Sequence, residues 1–268
     1  MRVARFVLSI LLILAFSRRL DSQQIPSTPV PKDPQALEMA QKSLLAMSGT
    51  TSLNSILDSQ TTGTLTLYAP DGPVSMPITY NTKGTHQIRV ELQQPAGMAV
   101  RIVNNGQGIL QKPDGSIVNL LMNNTLAERV THIPVFSLLA ENLDPAVKVQ
   151  SKGSSTVNNS VTNDVVLSYI PNPASPDASA FEKMTQHIFH LDQSTGLVLK
   201  VDYQNCAEND TNACQKVETV FSDYRSVQGV LVPFLQTTST DGKPYSQVAL
   251  KSVSFNVGLS DSLFSLVK

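Results

Sequence analysis

The sequence lacks the composition expected of a protein that binds nucleic acid. It contains no tryptophan, two cysteines and four histidines, and charged residues make up only 15% of the chain, against about 25% in an average globular protein. The net charge is −1, so there is no basic excess with which to neutralise phosphates. The sequence therefore predicts no nucleic-acid partner, and its uncharged polar residues are typical of a β-rich protein from outside the cytoplasm.

The chain also lacks the short motifs that mark common catalytic and cofactor sites. It contains no HExxH, no GxSxG, no phosphate loop and no GxGxxG sequence. His187 and His190 are three residues apart in a predicted strand, where they face opposite sides and cannot bind one metal ion. We therefore predict a protein without enzymatic activity, metal or cofactor. A hydrolase site assembled from distant residues is the alternative.

The N-terminus has the pattern of an export signal. Two arginines precede a run of eleven mainly apolar residues that begins at Phe6, which is too short for an ordinary transmembrane helix. We predict a signal peptide over residues 1–22 and a proline-rich linker over 23–33, with a periplasmic location. An uncleaved inner-membrane anchor is the alternative, since Arg18 and Arg19 follow the apolar run.

The two cysteines agree with export. Cys206 and Cys214 flank a polar segment that resembles a hairpin loop. In an oxidising compartment a disulfide across the base of this loop is the natural interpretation. Two free thiols are the alternative.

Residues 34–268 are predicted to form one domain of mainly β (α+β) class. Asp33 and Pro34 begin a helix that Gly49 ends. From Thr61 onward the apolar period changes to two, with turn signals such as Asn105-Gly106 between the runs. The pattern predicts an incomplete antiparallel β-barrel of about ten or eleven strands with an N-terminal helix and two short helices.

The two short helices are predicted at residues 119–129 and 134–143, in the middle of the strand pattern. They could complete a solid core, or they could form a lid over an apolar cavity, because short helices open more readily than sheet strands. An apolar cavity with few polar groups suits acyl chains, which are bound mainly through buried area.

The C-terminal sequence resembles that of outer-membrane lipoprotein-sorting proteins with the LolA/LolB-like fold. The shared pattern is an F-x-D-Y-R segment, a glycine turn, a Pro-Phe strand, a final strand ending in Asn, and a D-S-L-F segment. Its residues are Phe221, Asp223, Tyr224, Arg225, Gly229, Pro233, Phe234, Asn256, Asp261, Leu263 and Phe264. Upstream, HQIRVELQQPAG followed by VNNG resembles a family strand that carries an arginine, here Arg89.

This resemblance implies an incomplete barrel that carries lipid or lipoprotein acyl chains through the periplasm. The predicted carrier is a monomer that delivers its cargo to an outer- or inner-membrane protein partner. Alternation places Arg89 and Arg101 opposite the apolar faces of their strands, so no arginine is assigned as a lid latch. The predicted ligand-binding residues are Leu65, Leu67, Ile88, Val90, Val100, Ile102, Leu199 and Val201, and the predicted lid residues are Leu121, Leu126, Phe136 and Leu139.

The alternative within the same fold is a structural or sensor module of the cell envelope. Such a module would have a filled interior and would bind a protein partner rather than a lipid. The packing beneath the two short helices distinguishes the two hypotheses.

Overall fold

The computed structural model describes residues 30–130, 132–207 and 210–266. The predicted signal peptide and most of the predicted linker lie outside the described residues. Val30 is buried, and Lys32 forms a parallel β-bridge with Val149. The described end of the predicted linker therefore packs against the domain.

Four helices and thirteen strands are found in the described residues. The helices are α1 (Pro34–Ser48), α2 (Met122–Val130), α3 (Pro134–Leu143) and α4 (Ala178–Met184). The strands are β1 (Asp58–Ala69), β2 (Gly72–Lys83), β3 (Gln87–Gln94), β4 (Gly97–Asn104), β5 (Gln107–Gln111), β6 (Ile117–Asn119), β7 (Val147–Val157), β8 (Ser160–Tyr169), β9 (His187–Asp192), β10 (Val198–Ala207), β11 (Asp210–Val227), β12 (Val230–Thr240) and β13 (Lys243–Phe255).

The first helix has the ends that the sequence predicts. The Asp33 carboxylate accepts a hydrogen bond from the backbone N–H of Gln35 at 2.9 Å, and Pro34 occupies the first turn. At the other end Gly49 adopts a φ of 57°, a left-handed conformation that glycine adopts at little cost. The buried face of α1 packs against α3 and strands β7 and β12.

All thirteen strands belong to one antiparallel sheet. Its order is β6-β5-β4-β3-β2-β1-β13-β12-β11-β10-β9-β8-β7, so adjacent strands of the sheet are consecutive in sequence except where β1 pairs with β13. The sheet does not close, because β6 and β7 are its two edges and α2 and α3 connect them. The predicted incomplete barrel with its helices is confirmed.

The strand number is larger than predicted, since the sequence pattern missed β5 and β6. These strands have five and three residues, too few for an alternating pattern to show. The turn before β5 is the predicted one, with φ of 49° at Asn105 and 83° at Gly106.

The main core lies between the helices and one face of the sheet, called here the inner face. Its fully buried members include Val135 and Leu138 of α3 and Phe189 of β9. A second, smaller cluster lies on the outer face, where Leu266 packs against three residues of β4 and β5, namely Val100, Ile102 and Ile109. The C-terminal segment therefore covers part of the outer face.

A disulfide joins Cys206 to Cys214 across the β10–β11 hairpin, as the sequence predicts. In the chain-entropy model, closing so short a loop stabilises the fold by about 2.5 kcal/mol. We expect a Cys206→Ala/Cys214→Ala variant to unfold at lower denaturant concentration by about that free energy. Chemical denaturation of the variant and of the oxidised protein measures the difference. An unchanged midpoint would show that the loop is already ordered in the unfolded chain.

Within the described ranges, none of the helices is both long enough and apolar enough to span a membrane.

Candidate functional site

The inner face contains a cavity of about 440 Å³ between strands β1–β5, strands β10–β13 and helix α2. Its lining includes Gln94, Thr240 and Tyr245, which lie at the strand ends where the β3–β4 and β12–β13 hairpins turn. The cavity therefore extends towards this end of the open barrel. A volume of this size is within the usual range for small-molecule sites.

One wall of the cavity is apolar. It is formed by inward-facing residues of the first five strands, which are Leu65, Leu67, Ile78, Val90, Leu92, Ala99 and Leu110. Cross-strand pairing places these side chains on one face, because directly opposed residues of antiparallel strands point the same way. Tyr80 and Arg101 lie on either side of Val90 in this wall, and the remaining side chains offer apolar surface for an alkyl chain.

The opposite wall, from strands β10–β13, is mixed. Val217 and Val248 lie among uncharged polar residues, which are Asn205, Gln215, Gln236, Thr238, Thr240 and Ser246. Tyr203 also belongs to this wall, and burial raises the pKa of its phenol, as it does for Tyr80 across the cavity. Both phenols stay neutral at physiological pH.

The two charged residues that line the cavity form an ion pair. Arg101 of β4 donates to the carboxylate of Glu128 of α2. The Glu128 side chain is 14% exposed and the Arg101 side chain 35% exposed, so solvent screens the pair only in part. This contact ties α2 to the apolar wall.

Helix α2 is further held by polar contacts. The Asn124 side chain accepts from the backbone N–H of Cys206 at 3.0 Å and donates to its carbonyl at 2.8 Å. Thr125 donates to the Met122 carbonyl at 2.7 Å within the helix, and its hydroxyl lies 3.4 Å from the Gly106 carbonyl. Asn123, Asn124 and Thr125 are all buried. Water can replace these hydrogen bonds when α2 is displaced, while the buried side chains of Leu126 and Ala127 would lose apolar contacts.

Helix α3 is held in a different way. Val135 and Leu138 are fully buried in the main core, and Phe136 packs edge-on against Phe255 at 5.7 Å between ring centroids. Glu141 contacts the imidazole Nδ1 of His187 in β9 at 2.8 Å, and both side chains are at least 95% buried. The apolar contacts and this buried pair fix α3 to the sheet.

The connection between α2 and α3 contains a buried histidine. His132 stacks on Tyr80 with 4.2 Å between ring centroids, and its Nε2 lies 3.1 Å from the Thr61 hydroxyl. Burial lowers the pKa of His132 to about 3, so the imidazole is neutral at physiological pH. Gln236 donates to the His132 carbonyl at 2.6 Å, which fixes the connection against β12.

The predicted ligand-binding residues are not all brought together. Leu65, Leu67 and Val90 line the cavity. Ile88 faces the same side but lies in a small adjoining pocket beneath α3. Val201 is fully buried in the main core. Leu199 lies at a register shift between β9 and β10 and is half-buried.

Val100 and Ile102 are placed on the outer face rather than in the cavity. They belong to the cluster covered by Leu266, and their neighbour Arg101 is the residue that points inward. Both faces of β4 are buried, so its apolar residues do not reveal which face lies inside, whereas the pairing of Val90 with Arg101 does.

The predicted lid residues divide between the two helices. Leu126 is buried on α2, and Leu121 lies half-buried just before that helix. Phe136 and Leu139 of α3 pack against the main core. The α2 residues that line the cavity are Ala127 and Glu128, which the sequence did not single out.

The two arginines of β3 and β4 differ in position. Arg89 lies on the outer face, as alternation predicts, where it contacts Glu91 at 2.6 Å and donates to the Leu263 carbonyl. Arg101 was expected on the outer face too, and this prediction is wrong, because it lines the cavity. The pairing of β3 with β4 identifies Arg101 as inward-facing, because Arg101 lies opposite Val90. The sequence of β4 by itself does not show which of its faces lies inside.

The histidines of β9 occupy opposite faces of the sheet. His187 contacts Glu141 on the inner face, while His190 contacts Asp164 and Asp202, each at 2.9 Å, on the other face. The prediction that the two histidines face opposite sides of the sheet is confirmed. Within the described residues no group of three or more potential metal ligands is found.

Comparison with solved structures identifies the fold. The chain is similar to a domain from Vibrio parahaemolyticus described as an outer membrane lipoprotein-sorting protein, with 12% identity, a TM-score of 0.56 and coverage of 86% of this chain and 96% of that one. It is also similar to a LolA superfamily protein from Nitrosomonas europaea, with 12% identity, a TM-score of 0.58 and coverage of 86% and 97%.

A third similar structure is a DUF1329 family protein from Desulfovibrio piger, with 10% identity, a TM-score of 0.58 and coverage of 89% of this chain and 98% of that one. No protein-family model matches the sequence, and no curated protein matches it. At these identities the likeness establishes the fold, which is LolA-like.

Proposed function

We propose that this protein is a periplasmic carrier that binds a lipid, or the acyl chains of a lipoprotein, in the cavity beneath α2. The observation that carries the proposal is the mainly apolar wall of β1–β5 facing a helix held in part by polar contacts. The export pattern of residues 1–22, the disulfide and the LolA-like fold support the location and the role.

The apolar wall of the cavity provides the free energy of binding in this proposal. An alkyl chain that lies along Leu65, Leu67, Val90 and Leu92 is removed from water, and each buried methylene contributes about 0.8 kcal/mol. Binding therefore requires apolar area rather than a reaction. The proposed carrier has no enzymatic activity and needs no cofactor.

The lid motion is assigned to α2 alone. Opening replaces the Arg101–Glu128 pair and the Asn124 hydrogen bonds with contacts to water, while α3 stays in the core through Val135 and Leu138. Release to a membrane-protein partner would use the same opening. A module with a filled interior is less well supported, since the space beneath α2 is not filled.

The proposal is tested by ligand uptake. Protein stripped of lipid is titrated with a fluorescent fatty acid and, separately, with a fluorescent monoacylglycerol. We expect at least one of them to saturate near one molecule per chain, with emission shifted to shorter wavelength in the apolar cavity. Absence of stoichiometric uptake of both would overturn the proposal.

A Glu128→Gln variant is expected to take up ligand faster. The substitution removes the charge that pairs with Arg101. Loss of about 1 kcal/mol of pairing energy corresponds to roughly a fivefold faster association if lid opening limits uptake. Stopped-flow fluorescence measures the rate.

Glu91→Gln is the matched control. It removes a carboxylate paired with Arg89 on the outer face of β3, away from the lid. Its association rate should equal that of the unsubstituted protein. Equal rates in all three proteins would show that the Arg101–Glu128 pair does not restrain α2.

A further inference from the structure

The polar wall of the cavity carries hydrogen-bonding capacity that the fold leaves unused. The residues concerned face the cavity near the tips of the β10–β11 and β12–β13 hairpins and are Asn205, Gln215, Thr240 and Ser246. The strand pairing places these side chains close together. Asn205 lies opposite Gln215, and Ser246 lies opposite Thr238, which is two residues from Thr240 on the same face of β12.

In the described part of the chain, the side chains of Asn205, Gln215, Thr240 and Ser246 form no hydrogen bond with another protein group; Asn205 and Gln215 are exposed, and Ser246 is buried. Thr238, by contrast, lies 3.2 Å from the Thr219 hydroxyl, and Gln236 donates to the His132 carbonyl. Ser246 is only 6% exposed as a residue, but its unpartnered hydroxyl oxygen stays accessible from the cavity. An unpartnered, 94% buried serine that lines a cavity points to a polar ligand group.

Among the residues that the structure describes, the cavity offers no unpaired charge for that group. Among its lining residues only Arg101 and Glu128 are charged, and they neutralise each other. A carboxylate, phosphate or ammonium group placed on the polar wall would lose hydration without gaining a counter-ion. Hydroxyl, ester and amide groups would lose less, and they match the donors and acceptors of serine, threonine, asparagine and glutamine side chains.

We propose that the ligand is an amphiphile with an uncharged, hydrogen-bonding headgroup, such as a glyceride or a glycoside. Its alkyl chain lies on the apolar wall, and its headgroup binds Asn205, Gln215, Thr240 and Ser246. This assignment rests on the proposed carrier function and narrows its class of cargo.

The test uses amphiphiles that share a twelve-carbon chain and differ in headgroup. The probes are dodecanoate, dodecyltrimethylammonium, monododecanoylglycerol and dodecyl glucoside, each kept below its micelle-forming concentration. Calorimetry measures the affinity of each. Two additional hydrogen bonds to an uncharged head correspond to about tenfold tighter binding, so the glycerol ester and the glucoside should exceed both charged probes by about that factor.

Two substitutions locate the headgroup. Ser246→Ala and Thr240→Val remove hydroxyls while nearly preserving volume, and each should reduce the preference for the uncharged probes by several-fold without weakening dodecanoate. Thr64→Val is the matched control, because Thr64 is exposed and does not line the cavity. It should leave every affinity unchanged.

The outcomes separate the two proposals. If none of the four probes binds, the carrier function fails. If all bind equally, or if dodecanoate binds most tightly through Arg101, the carrier function stands and the uncharged headgroup is rejected. If the Ser246→Ala and Thr240→Val variants both keep the full preference for the uncharged probes, the headgroup does not bind at the polar wall.

Discussion

Replacement of Val90 by tryptophan is expected to lower the affinity for an alkyl ligand by about a hundredfold. Val90 lies on the apolar wall of the cavity, and the larger indole would occupy space that the proposed alkyl chain needs. Displacing four methylenes from the wall costs about 3 kcal/mol at 0.8 kcal/mol each, which corresponds to roughly a hundredfold in the dissociation constant. Titration with the fluorescent ligand of the uptake experiment measures this loss.

Val161→Trp is the control for this prediction. Val161 is an exposed residue of β8, and it does not line the cavity. Because the natural chain contains no tryptophan, each variant carries a single indole whose emission reports its surroundings. Val161→Trp should bind as the unsubstituted protein does. If Val90→Trp folds and still binds with full affinity, the ligand does not use this wall.

Replacement of Glu141 by alanine is expected to destabilise the fold by about 3 to 5 kcal/mol. Glu141 contacts His187 at 2.8 Å, and the two side chains are 5% and 4% exposed. Removal of one member of a buried pair leaves the other without its partner in a medium that solvates it poorly. The midpoint of unfolding in urea, measured by circular dichroism, should fall accordingly.

Glu182→Ala is the matched control. Glu182 pairs with Lys148 at 2.7 Å, but these side chains are 30% and 26% exposed. A pair so accessible to water contributes less than about 1 kcal/mol. A loss of the same size in both variants would contradict the argument that α3 is fixed to the sheet through a buried pair.

Local patterns were sufficient for the elements whose ends are set by their own residues. Asp33, Pro34 and Gly49 bound α1 as predicted, and Asn105-Gly106 forms the predicted turn. The two mid-chain helices lie within a few residues of their predicted positions. These features depend on capping and on backbone conformations that neighbouring residues impose.

The candidate site was only partly predictable. Alternation divides a strand into two faces without stating which face lies inside. The prediction placed Val100 and Ile102 in the cavity and Arg101 outside it. In the structure Val100 and Ile102 lie on the outer face of β4, where the C-terminal segment buries them, and Arg101 lines the cavity. A contact from the far end of the chain therefore reversed the assignment.

The sequence alone established the fold class, the disulfide and most of the succession of helices and strands, because each depends on composition, short-range periodicity or chain-local turns. It did not indicate β5, β6 or α4, which are short. The tertiary structure decided which wall of the cavity is polar, which arginine faces α2, and that Asn124 is bonded to Cys206, 82 residues away. These features depend on register across several strands and on contacts between distant segments, for which a single sequence carries no local signal.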